Sequence, residues 1–185
     1  YPDPTIYGAL SKIENEIKNI LNILVRFLND ESGRTSLEYD FLSLEKIIDS
    51  AISKSYIDKD NILSYDLKYF IDYMEMRKSQ IMALRYIFEQ GKAIQTRPEQ
   101  ARDIADLIYN LIPKLHESNN AMNALMDLYL VKEKMKNSDL PKTRVEFEDR
   151  AILYSMVINF EQFLEIKREF ASNLTENEKN IFWNR

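Results

Sequence analysis

Ile6, Leu10, Ile13, Ile17, Ile20, Leu24 and Phe27 follow one another at alternating spacings of four and three. That spacing gathers every one of them onto a single stripe of an α-helix, whereas a strand would scatter them over both its faces. A helix with such a stripe must bury it against other helices, as in a coiled coil or bundle. Asp3 and Pro4 suit the N-cap and first helical position, where the missing proline N–H costs nothing. Asp30-Glu31-Ser32-Gly33 ends the pattern. At about 1.5 Å per residue the helix is roughly 35–40 Å long. With only three glycines and five prolines, the chain lacks the turn residues that a sheet protein of this size needs.

The rest of the chain reads the same way. A second helix is predicted over residues 36–56, with Leu37, Phe41, Leu44, Ile48, Ala51 and Ile52 inward, broken by Asp58-Lys59-Asp60-Asn61. Ser64 caps a third that stops at Gly91, the usual left-handed C-terminal residue. Its seam is Leu67, Phe70, Met74, Arg77, Ile81, Leu84 and Phe88. Thr96-Arg97-Pro98-Glu99 is a capping box that opens a fourth helix. That helix buries Ala101, Ile104, Ala105, Ile108, Leu111, Ile112 and Leu115, and Pro113 kinks it or begins its end. A fifth helix over 120–136 carries Ala121, Leu125, Leu128 and Met135. A second box, Thr143 to Glu146, starts a sixth helix reaching about residue 171. A third box, Thr175 to Glu178, opens a short terminal helix with Ile181, Phe182 and Trp183. The expectation is an all-α chain, one domain over residues 1–185, built as a bundle of about six main helices, several of them long and antiparallel.

Composition removes several functions. The net charge is −5, and the densest basic run, Lys132 to Lys136, reads as the solvated face of a helix. Nucleic-acid binding, which rests on neutralising phosphates, is not expected. The absence of cysteine excludes disulfides, thiolate metal sites and a cysteine nucleophile. The single histidine, His116, follows Pro113 by three residues, so not even one Glu-x-x-His ligand motif exists. No glycine-rich phosphate loop or nucleophile elbow occurs. Glu146, Glu148, Asp149, Glu161 and Glu165 share one helix, and nothing in the sequence gives two of them the contrasting environments that acid–base catalysis needs. No enzyme activity, metal or cofactor is expected. The apolar stretch Ile20 to Leu28 is interrupted by Asn22 and Arg26 and falls short of the roughly 20 residues of a membrane span. The start at Tyr1 rather than methionine leads us to expect a piece of a longer protein.

Charges among apolar residues are more telling. On a helical wheel the sixth helix gathers Leu153, Val157, Leu164, Tyr154, Phe147, Ile158 and Ala151 into one broad arc. Arg150 and Glu161, eleven residues apart, fall near its middle, and Arg77 interrupts the third seam. Interior charges are tolerated when paired and hydrogen-bonded. One reading makes Arg77, Arg150 and Glu161 members of one or two ion pairs that fix helix register. The other makes them a ligand-binding pocket in which an arginine receives an anion. Both expect these residues to be less exposed than ordinary charged side chains. Tyr65, Tyr69, Phe70 and Tyr73 either edge the core with hydroxyls in water or stack on a ligand or partner.

Several segments resemble the C-terminal domain of the putative aromatic acid exporter family of bacteria. The run from Leu140-Pro141-Lys142-Thr143-Arg144 through Glu146-Phe147-Glu148, Arg150-Ala151 and Leu153-Tyr154 is similar to the family's LPKTR-x-EFE-x-RA-x-L(Y/F) stretch, continued by Glu161-Gln162-Phe163-Leu164 and Ile166-Lys167. Met76-Arg77-x-x-Gln80 and Ile104 to Ile108 resemble two further segments. The resemblance implies a membrane region preceding this domain, placing it at the cytoplasmic face of the plasma membrane. Its expected partners are its own transmembrane region, a second copy in a homo-oligomer, or a small aromatic acid. Tyr1 to Ser11 carry no lysine or arginine, so the membrane junction is expected further upstream. Two functions follow: a non-enzymatic regulatory or assembly domain, or a sensor for an anionic aromatic compound.

Overall fold

A computed structural model of the chain describes residues 4–57 and 64–184, with side chains over 8–57 and 66–184. Among these residues are seven α-helices: α1 (Pro4–Asn29), α2 (Phe41–Ile57), α3 (Ser64–Gly91), α4 (Glu99–Leu111), α5 (Met122–Lys136), α6 (Arg144–Asn173) and α7 (Glu176–Trp183). A 3-10 turn, Ile112–Lys114, follows α4, and no strand occurs among the described residues. The chain is an all-α bundle. The expected cap at Asp3 and the break at Asp58 to Asn61 lie outside the described residues.

The two longest helices, α3 and α6, form the most extensive pairing, and α1 lies against α2, α3 and α4, while α5 joins α4 to α6. Gln90 of α3 bonds to Ser155 of α6, and Gln80 to the carbonyl of Phe163, so residue numbers rise in opposite directions and the two helices are antiparallel. The stripe of α1 from Ile13 to Phe27 and the whole α3 seam from Leu67 to Phe88 are buried. Arg77 is buried with them.

Three local expectations are corrected. Helix α2 starts at Phe41, five residues late, because the Asp40 carboxylate takes the Ser43 N–H and hydroxyl (3.1 and 2.6 Å) as an N-cap does. Leu37 is buried, but on the extended segment before that cap. Gly91 does not take the left-handed conformation, which among the glycines belongs to Gly33 (φ 68°). What Gly91 supplies is room: a Cβ there would collide with Cδ1 of Leu37. Thr96 does not cap α4, whose N-cap is Pro98 without a side-chain bond. Instead its N–H and hydroxyl bond to Asp149 of α6 at 2.8 and 2.5 Å. The other two boxes form as read: Thr143 accepts from the Glu146 N–H and Thr175 from the Glu178 N–H.

The wheel of α6 is also rotated from its expected setting. Leu153, Val157 and Leu164 of the expected arc are buried, together with the row Asp149, Met156, Phe160, Phe163 and Lys167, while Phe147, Tyr154 and Ile158 are exposed. The expected arc merges the outer row with part of the inner side.

Candidate functional site

Arg77 is 1% exposed, and each of its three guanidinium nitrogens has a partner. Nε donates to the Tyr73 hydroxyl at 2.9 Å, Nη1 to the Gln80 side-chain oxygen at 2.7 Å, and Nη2 lies 3.4 Å from Glu14 of α1. Tyr73 donates in turn to the same Glu14 oxygen at 2.5 Å, and Gln80 carries the network to α6 through the Phe163 carbonyl at 2.9 Å. One buried arginine therefore ties α1, α3 and α6 together.

Arg150 and Glu161 lie elsewhere and do not meet Arg77 or each other. Arg150 donates to the Asp139 carbonyl at 2.6 Å and pairs with Glu146 at 3.7 Å, beside a surface cleft of about 420 Å³ also lined by Thr96, Gln100, Ser138 and Lys142. Glu161 pairs with Lys132 of α5 at 3.0 Å. It continues the outer row Phe147, Ala151, Tyr154 and Ile158, which explains why it looked embedded in an apolar arc.

Beside Arg77 stands a second buried basic side chain. Lys167, 4% exposed, donates to the Glu117 carbonyl and lies 3.5 Å from that of His116. Its ammonium is ringed by Tyr73, Phe170 and Trp183 at 5.3, 5.7 and 5.8 Å from the ring centroids, within cation–π range. Burial drives its pKa well below the ordinary lysine range, and the positive charge of Arg77 adds to this against Glu14 and Glu117. Burial raises the pKa of Glu117, opposed by the hydrogen bond that Tyr69 donates to it at 2.6 Å.

The aromatic row of α3 thus has a definite place. Tyr69 and Tyr73 are buried, and their hydroxyls meet the carboxylates Glu117 and Glu14 rather than water. Tyr65 has no described side chain. Phe182 of α7 lies flat on Tyr69, 3.9 Å between centroids at an interplanar angle of 6°, and the Trp183 indole N–H donates to the Tyr69 hydroxyl at 3.1 Å. Among the described residues no buried side-chain polar atom lacks a partner. The cluster brings two basic side chains, Arg77 and Lys167, and two half-buried acidic ones, Glu14 and Glu117, against the rings of Tyr69, Tyr73, Phe170 and Trp183, a setting suited to holding charge and planar rings.

Sequence reasoning found Arg77 but not Glu14, Glu117 or Lys167. A signal for Lys167 existed: it continues the four-three row Leu153, Met156, Phe160 and Phe163, the test that exposed Arg77 in α3.

A second feature is on the outside of α5 and α6. Phe147, Tyr154 and Ile158 on α6 and Met122, Met126, Tyr129 and Leu130 on α5 are exposed, with Leu140 between the helices 85% exposed. The Lys132–Glu161 pair joins the two helices at this surface.

The family model of the putative aromatic acid exporter C-terminal domain matches residues 3–168. The chain is 30% identical over 173 residues to the uncharacterized protein YqjA of Bacillus subtilis (strain 168), covering 91% of this chain and 52% of that protein. It therefore spans about half the length of that curated relative. A solved structure described as a putative membrane protein from Clostridium difficile 630 superposes with a TM-score of 0.76 at 28% identity, over 91% of this chain and 99% of that one. Among the described residues no helix is long and apolar enough to cross a membrane.

Proposed function

Because the chain belongs to the family of putative aromatic acid exporter C-terminal domains, we propose that it is a non-enzymatic regulatory or assembly domain, which at the cytoplasmic face contacts its own membrane half or a second copy. The observation that carries this is the outer face of α5 and α6. Phe147, Ala151, Tyr154 and Ile158 repeat at helical spacing on the side of α6 away from the core, and Met122, Met126 and Tyr129 do so on α5. Scattered exposed apolar residues need no explanation, but rows of them repeating at helical spacing on two packed helices suit an interaction surface. The interior supports the same role: its buried charges are satisfied, as in a rigid body that transmits contact. Light scattering of the whole exporter, with and without Phe147→Glu and Tyr154→Glu, tests it. The substitutions should reduce assembly or transport while leaving the helical content intact; unchanged assembly and transport would sink the reading.

The enclosure around Lys167 favours a second reading, a sensor for an anionic aromatic compound. A carboxylate on a planar ring needs a cation and a ring face close together, and Arg77, Lys167 and Tyr69 provide both. Calorimetry against aromatic carboxylates tests it. Binding unaffected by Arg77→Ala and Lys167→Met would remove the mechanism, and Arg150→Ala, at the other end of α6, serves as a control.

A further inference from the structure

We infer that α7 is a built-in plug: Phe182 holds the ring position on Tyr69 that an anionic aromatic ligand would take, and ligand binds by displacing it. This rests on the sensor reading above and adds its regulation.

The stacking of Phe182 on Tyr69 is closer and flatter than the neighbouring Tyr69–Tyr73 pair, at 6.1 Å and 29°, or the Tyr69–Phe170 pair, at 5.8 Å and 54°. A planar ligand ring would adopt the same stacked geometry. Trp183 closes the enclosure by bonding to Tyr69 and facing Lys167. Lys167 itself is held differently from Arg77. Arg77 has a carboxylate partner, whereas among the described residues the hydrogen bonds of Lys167 go to neutral carbonyl oxygens. A buried ammonium so placed gains more from an incoming carboxylate than a cation already paired.

The plug is also easily detached. Helix α7 has eight residues, too few to persist without tertiary contacts. It follows α6 through Leu174, whose backbone is extended (φ −78°, ψ 136°). Swinging it away would therefore leave α6 and Lys167 where they are. The family match ends at residue 168, so Glu14, Arg77 and Lys167 fall inside it and α7 outside.

Trp183 is the sole tryptophan, so the intact 185-residue chain carries its own reporter. Benzoate is titrated by calorimetry and by Trp183 fluorescence, with benzamide (ring without charge) and cyclohexanecarboxylate (charge without a flat ring) as comparisons. Benzoate alone should shift the emission to longer wavelength and raise acrylamide quenching. Phe182→Ala, which vacates the ring position, should tighten benzoate binding by about tenfold, since less of the site is self-occupied. Lys167→Met should abolish binding and Lys167→Arg retain part of it. Benzoate binding with Trp183 unmoved, or with no gain in Phe182→Ala, overturns the plug and leaves the sensor reading standing. No binding by either protein overturns both.

Discussion

Asp149 and Lys167 occupy the same buried row of α6, 1% and 4% exposed, and are stabilised in different ways. Asp149 is an acceptor for three donors, the N–H groups of Gln95 and Thr96 and the Thr96 hydroxyl. It caps the segment before α4 from a distant helix. Asp149→Ala strands those donors, and urea denaturation should show a loss of about 2–4 kcal/mol, the scale of leaving several buried polar groups unmet. For Lys167 burial and the nearby Arg77 charge outweigh Glu14 and Glu117, and its folded pKa lies well below the ordinary value of 10.5. Between these two values the unfolded chain binds more protons than the folded one, so this group makes stability rise with pH through that window. Arg77 of α3, Glu14 of α1 and Glu117 face it and set where the window opens. Lys167→Met should remove that rise. Stability curves of the two proteins, measured from pH 6 upward, should converge or cross toward the alkaline side; parallel curves would refute the assignment.

Among the elements, α3 and α6 show what periodicity can and cannot deliver. Every member of the α3 seam is buried, and so are Tyr69, Tyr73, Met76, Gln80 and Ile87 beside it, so the seam lies in the middle of a broad buried side. Helix α6 has two apolar rows, one inside and one outside, and a wheel centred on their sum points between them. The four-three row through Asp149, Leu153, Met156, Phe160, Phe163 and Lys167 would have separated them, because a strict register admits polar members that a hydrophobicity average penalises. Where local expectations failed the reasons differ: Asp40 sets the start of α2 within its own turn, whereas Thr96 and Gly91 answer to distant residues. Helix α3 does end at Gly91 as its residue type suggests, yet without the left-handed turn, and the need for glycine there comes from Leu37, far away in sequence. Gly91→Ala should cost about 1–3 kcal/mol by overpacking, despite the better helix propensity of alanine. The cost should shrink sharply when Leu37→Ala makes space, which a thermal-unfolding double-mutant cycle would reveal.

Across the molecule, Arg77 joins three helices through Glu14, Tyr73 and Gln80, so its loss should be felt beyond its own contacts. Arg77→Ala leaves the half-buried Glu14 carboxylate with only its Tyr73 hydrogen bond and strands the buried Gln80 side-chain oxygen, and should destabilise by about 3–5 kcal/mol. Arg77→Met combined with Glu14→Gln should cost markedly less, since neither charge is then abandoned in the interior. The sequence alone determined that the chain is all-helical, where most helices begin and end, and that one charge sits in the α3 seam. Those properties follow from local periodicity, capping chemistry and the avoidance of glycine and proline, all readable within a few turns. Tertiary structure decided which partner each charge finds, which of the two rows of α6 faces inward, and that Lys167 and Tyr69 meet under α7. Such pairings join residues far apart in the chain, and the energy of a buried charge depends on all the helices around it rather than on its own.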